Sequence, residues 1–205
     1  MNRLRNITLF FSALIIFGAA CSNSSSSEED LIITNTINDI PADTGSTGSF
    51  TFINLSTGEI VTDSASTSWD LGFAATSIIT NSEISGPGNG GAYILNNISF
   101  DDVTEVPTNI TFNQDDAADA LAIPSGSGNG WYNYDPQLFA IFPIDNTTIL
   151  VRTATGNFAK IEILSYYEGN PNVNDPLFLN PGTRPASRFY TLRVSVNEDG
   201  GTSFE

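Results

Sequence analysis

Every second residue of RFYTLRVSV is apolar from Tyr190 onward: Tyr190, Leu192, Val194 and Val196 fall on one face of an extended strand. A helix would scatter the same four side chains around its circumference, so this alternation restricts the segment to a half-buried β-strand. TSWDLGF repeats the pattern, with Trp69, Leu71 and Phe73 on one face and Asp70 and Gly72 on the other. Helical periodicity is nearly absent. The best helical candidate, Asp115 to Leu121, is two turns at most and stops before Pro124. The chain therefore reads as all-β: a single antiparallel β domain with at most one short helix. Glycine, serine and proline cluster at 85–91, 125–130 and 170–185, which read as loops, and Asp199-Gly200 reads as a tight turn. None of these loops has the strand-to-helix setting or the Lys-Ser/Thr ending of a phosphate-binding loop.

LVRTATGNFAKIEILSYYEG predicts a hairpin from about Ile149 to Tyr166, turning at Thr155-Gly156-Asn157. Beyond the turn Ala159, Ile161 and Ile163 point one way, and Phe158, Lys160, Glu162 and Leu164 the other. Lys160 is the only lysine of the chain, and its simplest use is a surface ion pair with Glu162 worth up to about 1 kcal/mol. A lysine nucleophile would need a desolvated pocket, and a neighbouring carboxylate opposes that.

The N-terminus has a different character. Arg3 and Arg5 precede an apolar run from Ile7 to Ala20, which ends in small residues before Cys21. That run is too short to span a bilayer and reads as a secretory signal, residues 1–20. A single cysteine directly after small residues is similar to a bacterial lipoprotein processing site, although Gly18 stands where leucine is usual. Cys21 is accordingly the expected lipidation site. Residues 21–33, with SNSSSSEED, read as the lipidated cysteine and a flexible acidic tether, and 34–205 as the β domain. The acidic cluster behind the cysteine resembles the surface-export signals of Bacteroidota lipoproteins. The expected location is the outer membrane, lipid-anchored and displayed at the cell surface.

After residue 20 the chain retains five basic residues against all 23 acidic ones, a formal charge of −18. A field of that sign opposes binding to nucleic acid and to anionic headgroups. There is no histidine, which excludes a Ser-His-Asp triad, an HExxH zinc site and imidazole ligation of haem. With Cys21 acylated, thiolate catalysis and disulfides are excluded too. Two-carboxylate glycoside hydrolysis needs only paired acids, but so acidic a chain supplies such pairs by chance, and the expectation is a non-enzyme. Asp101-Asp102 and Asp115-Asp116-Asp119 offer hard oxygens for calcium without EF-hand spacing.

TSWDLGF, SGPGNGGAYI, GNGWYNY, LVRTATGNFAKIEILSYYEG and RFYTLRVSV, in this order across about residues 65–204, together resemble the HmuY family of haem-binding outer-membrane lipoproteins. The resemblance implies an all-β, hand-like domain that captures haem outside the cell and passes it to a TonB-dependent transporter, in the service of iron acquisition. In that family histidines or methionines ligate the iron. The corresponding segments here, roughly Phe112 to Ser127 and Asn133 to Pro136, hold neither. No axial ligand carries over. Trp131, Tyr132 and Tyr134 lie beside the expected site and are the ligand-binding candidates, since a tyrosinate ligates haem iron in catalase. Tyr132 and Tyr134 share a strand face and could line one groove, while core packing or cross-strand pairing accounts for the same three aromatics. Three readings follow: haem held by an unusual ligand or ring contacts, another tetrapyrrole or hydrophobic nutrient in the same cleft, or a protein-partner accessory of an uptake system.

Overall fold

The computed structural model describes residues 31–205, in which every strand pairing is antiparallel. The larger sheet has five strands, in the order β1 (Ile32–Pro41), β11 (Ser187–Asn197), β10 (Phe158–Tyr167), β9 (Thr147–Arg152) and β6 (Gly91–Asn96). The smaller sheet orders β3 (Ile60–Val61), β2 (Thr51–Ile53), β4 (Leu71–Ala74) and β5 (Ser77–Thr80). A separate ribbon pairs β7 (Tyr132–Asp135) with β8 (Ala140–Pro143). β1 opens inside the stretch read as tether, because Ile32 already pairs with Asn197.

The alternation of β11 is realised as expected: Tyr190, Leu192, Val194 and Val196 are fully buried. They join Ile161 and Ile163 of β10 and Leu71 and Phe73 of β4 in one cluster between the two sheets. The predicted hairpin is β9–β10, with Ala159 opposite Val151 and Ile161 opposite Ile149.

The larger sheet is covered on its other face as well, and this overturns the reading of Lys160. Leu150, Val103, Val106 and Phe204 form a second cluster there. Lys160 lies opposite Leu150 in the register and is 5% exposed. Its ammonium donates to the carbonyls of Phe100 (2.8 Å) and Val103 (2.7 Å), which bracket a short 3-10 turn, Phe100–Asp102. The Phe100 ring lies 4.3 Å below the charge. Glu162 pairs instead with Arg193, its neighbour across the sheet, at 4.0 Å. Residues 100–106 and the C-terminal segment, joined by bonds such as Phe204 N–H to the Thr104 carbonyl (2.7 Å), cross over this face. Strand periodicity carries no trace of that crossing. Burial pushes the Lys160 ammonium below the ordinary lysine range.

The helix expected over Asp115 to Leu121 is also absent. Asp115 is fully buried and accepts from Thr80 N–H and Ala122 N–H, each at 2.8 Å, which ties the segment into a turn. Two turns of helix are marginal in water, and a carboxylate with two backbone donors in reach outcompetes them. The same bonds remove Asp115 from the calcium candidates. The α-helix found, α1 (Pro176–Leu179), lies within the 170–185 loop. There Asp175 caps the amide of Leu177 (2.8 Å) and Pro176 opens the first turn.

Asp70, opposite in parity to Trp69 and Leu71, is buried too. Its carboxylate accepts from Leu55 N–H (2.8 Å) and Ala154 N–H (3.0 Å), which links the smaller sheet to the β9–β10 turn. Next to it Asn81 donates to the Trp69 carbonyl (2.8 Å) and accepts from Gly88 N–H (2.8 Å). A Cβ on Gly86 would lie 2.2 Å from the Asn81 side-chain oxygen, and one on Gly90 2.7 Å from the Asn81 carbonyl. The glycines of SGPGNGG thus let a loop close over Asn81.

Candidate ligand-binding site

Of the two segments singled out from the sequence, Asn133 to Pro136 lies in the β7–β8 ribbon, whereas only the end of Phe112 to Ser127 reaches it; Phe112 itself packs on Phe158 in the second cluster. SGSGNG (125–130) folds back along β7, with Gly128 N–H on the Tyr132 carbonyl (2.8 Å) and the Ser127 hydroxyl accepting from Tyr134 N–H (2.8 Å). The ribbon turns where the Asp135 carboxylate accepts from Gln137 and Leu138 N–H (2.7 and 3.0 Å). Phe139 follows in a left-handed conformation, φ 51°, and is 70% exposed. An aromatic residue held there is unusual and stays in place only because its surroundings hold it.

The surroundings are supplied by Arg184. Its guanidinium donates to the carbonyls of Phe139 (3.0 Å), Leu138 (2.9 Å) and Phe178 (2.8 Å), and lies 4.9 Å from the Phe178 ring centre. One side chain therefore fastens the 170–185 loop and α1 to the tip of the ribbon. Leu177 and Leu179 of α1 are exposed beside the clamp. Arg184 was not legible as a site residue, because its three partners lie in the ribbon turn and in α1 and its bonds go to their carbonyls, which carry no side-chain signature.

Trp131 and Tyr132 are brought together, with ring centres 4.8 Å apart, and both are buried. Trp131 also packs on Tyr166 (5.6 Å) and Tyr190 (5.0 Å), and its indole N–H donates to the Thr76 carbonyl (3.0 Å). Burial pushes the Tyr166 phenol up to about 12 and the Tyr190 phenol well above its ordinary value. Neither is poised to become a tyrosinate. Tyr134 is placed differently: it shares the face of β7 with Tyr132 by alternation but is 44% exposed, the one tyrosine of six in that class. The exposed aromatics Tyr134 and Phe139 thus mark the outer part of the ribbon.

Beside the ribbon lies a cleft of about 420 Å³, between the β8–β9 connection, β10 and the 170–185 loop. Phe142, Pro143, Ile163, Leu164 and Val173 form its apolar walls. No motif pointed to it, since its walls come from three separate segments within residues 142–173. Among the described residues no three histidine, cysteine or acidic side chains converge on a metal position, and no helix is long and apolar enough to cross a membrane. Cys21, the expected lipidation site, lies outside the described residues.

Comparison with known proteins places this geometry. Three solved structures are similar to this chain at low identity. One, described as the apo HmuY analogue of Tannerella forsythia, is 14% identical, with a TM-score of 0.51, 81% of this chain and 96% of that one covered. A protein described as a lipoprotein of Bacteroides fragilis is 17% identical, with a TM-score of 0.49 over 78% of this chain and 89% of that one. A protein of Bacteroides vulgatus described as HmuY-like and heme-binding is 16% identical, with a TM-score of 0.47 over 78% and 90%. No curated protein matches. The family model described as HmuY protein matches residues 46–178, which include the ribbon, the cleft and all but the last residue of α1, and the chain belongs to the HmuY family.

Proposed function

We propose that this protein is a cell-surface lipoprotein, anchored in the outer membrane through Cys21, that binds haem or a related tetrapyrrole for delivery to a TonB-dependent transporter. Its role is capture rather than catalysis. The observation that carries the reading is the outer part of the β7–β8 ribbon in an HmuY-family chain, where Tyr134 and Phe139 are the open aromatics. Such rings offer a stacking surface for a flat macrocycle. Tyr134 also offers a phenol oxygen where the chain has no histidine, and no methionine beyond Met1. Trp131 and Tyr132 act beneath it as the packed support of the ribbon. Family membership and the N-terminal signal support the transporter and the location.

Titration of the protein with ferric haem and with iron-free protoporphyrin, followed in the Soret region, tests the reading. A saturable, sharp shift with haem alone, lost in Tyr134→Phe, is the expected outcome for phenolate ligation. Equal responses to both compounds, unchanged in Tyr134→Phe, would assign binding to ring contacts indifferent to iron. No response to either would remove the tetrapyrrole. The second reading, a non-haem or protein-partner accessory of an uptake system, would then lead, and exposed Leu177 and Leu179 beside Phe139 are the apolar surface that favours it.

A further inference from the structure

We propose that the cleft between the β8–β9 connection and β10 is a second binding site, for a small amphipathic amine that ends in a hydrogen-bonding oxygen. Three independent features define the ligand. The first is size and lining. At about 420 Å³, walled by Phe142, Pro143, Ile163, Leu164 and Val173, the cleft lies within the range of small-molecule sites and accepts an apolar body.

The second is an unpaired hydroxyl in an adjoining void. A void of about 10 Å³, which shares Pro143, Ile144 and Ile163 with the cleft, is also lined by Thr147. Thr147 is 7% exposed, and its hydroxyl has no hydrogen-bond partner. Buried polar groups without partners are rare and costly, and a void of this size admits a single oxygen. Thr147 stands at the start of β9, on the side of Ile149 and Val151, so its side chain faces the core side of the sheet, where the void adjoins the cleft.

The third is charge. Asp145 and Glu162 line the mouth. Asp145 has no ion-pair partner among the described residues, and Glu162 has only Arg193 at 4.0 Å, which itself pairs more closely with Asp101 (3.0 Å). Two carboxylates at an opening attract a cation and repel the carboxylates that a tetrapyrrole carries. The site is therefore separate from the aromatic tip proposed for the tetrapyrrole. The ligand's oxygen goes inward to Thr147, its apolar body lies along Phe142 and Ile163, and its ammonium remains at Asp145 and Glu162.

Three related compounds test each feature: tyramine, phenethylamine, which lacks the hydroxyl, and hydroxyphenylpropionate, which reverses the head charge. Each is titrated into the protein and followed by methyl NMR at Ile163, Leu164 and Val173. Tyramine is expected to give saturable shifts confined to these methyls, with the other two compounds each about tenfold weaker, the equivalent of one net interaction. Thr147→Val is expected to bring tyramine down to the level of phenethylamine. Val173→Trp, at a half-open loop position, is expected to fill the mouth and abolish the shifts. Equal binding of all three compounds, an unchanged preference in Thr147→Val, or no saturable shift in the cleft would overturn the proposal. Haem titration of the same variants reports separately on the tetrapyrrole reading.

Discussion

The Asp70 carboxylate accepts two backbone N–H groups from segments 15 and 84 residues away and is 4% exposed. Asparagine would keep one acceptor and point an amide at the other donor, leaving both groups unsatisfied. Asp70→Asn is expected to cost about 1–3 kcal/mol in urea unfolding, the penalty of orphaned buried donors. A change within about 0.5 kcal/mol would mean that solvent serves those amides. Burial raises the Asp70 carboxyl above its ordinary value, and the two backbone bonds pull it the other way. The folded chain therefore holds the Asp70 proton to higher pH than the unfolded chain. Its contribution is most favourable at low pH and declines as pH rises through the folded value, so Asp70→Asn should flatten stability above about pH 4. Which residues alternate was legible in WDLGF, and so was the core face of Trp69, Leu71 and Phe73. The fate of the opposite parity was not. Asp70 and Lys160 are buried by segments that reach them from elsewhere in the chain, and period-two patterning is silent about a second covering layer.

At the scale of elements, the β9–β10 hairpin and β11 were legible because each strand repeats its pattern for several residues and carries its own turn residues. The misplaced helix illustrates the opposite case. Residues 115–121 have helical propensity, yet the bonds that decide their conformation run to Thr80 and Ala122. The ribbon and the 170–185 loop depend on each other in the same non-local way through Arg184. Arg184→Ala removes three bonds to carbonyls and a ring contact in one step. Neither element belongs to the two main sheets, so the expected loss is local. Amides of 138–140 and 177–180 should exchange at least about tenfold faster, a local opening cheaper by about 1.4 kcal/mol, while the strands of the larger sheet keep their protection. Arg184→Lys should restore little of this, since one ammonium does not span carbonyls on both elements in a fork. Uniform loss of protection across the sheet would instead make the clamp part of the cooperative core. Loosening the ribbon should also weaken any haem-induced Soret shift that depends on Tyr134.

Four of the five cations among the described residues follow one rule. Arg152, Lys160, Arg184 and Arg188 each donate to backbone carbonyls, those of Asn89, Phe100, Phe139 and Asp43 among them. Arg193 alone is committed chiefly to a carboxylate, that of Asp101. Positive charge here fastens loops to the sheets and leaves the acidic surface largely unneutralised. An acidic chain with few ion pairs to lose is destabilised by its own repulsion, and salt screens that repulsion over about 10 Å at 0.1 M. Raising sodium chloride from about 0.02 M to about 0.5 M should therefore stabilise the fold by about 1 kcal/mol, seen as a rise of about 2–4 °C in Tm. A matched chloride series with potassium in place of sodium should give the same rise, since the effect is screening rather than a specific cation site. A falling Tm would mean that the Arg193–Asp101 and Arg188–Asp43 pairs outweigh the repulsion. The same field favours cationic ligands at the cleft mouth and weakens as salt is added. Tyramine binding and thermal stability are thus expected to move in opposite directions along one salt titration.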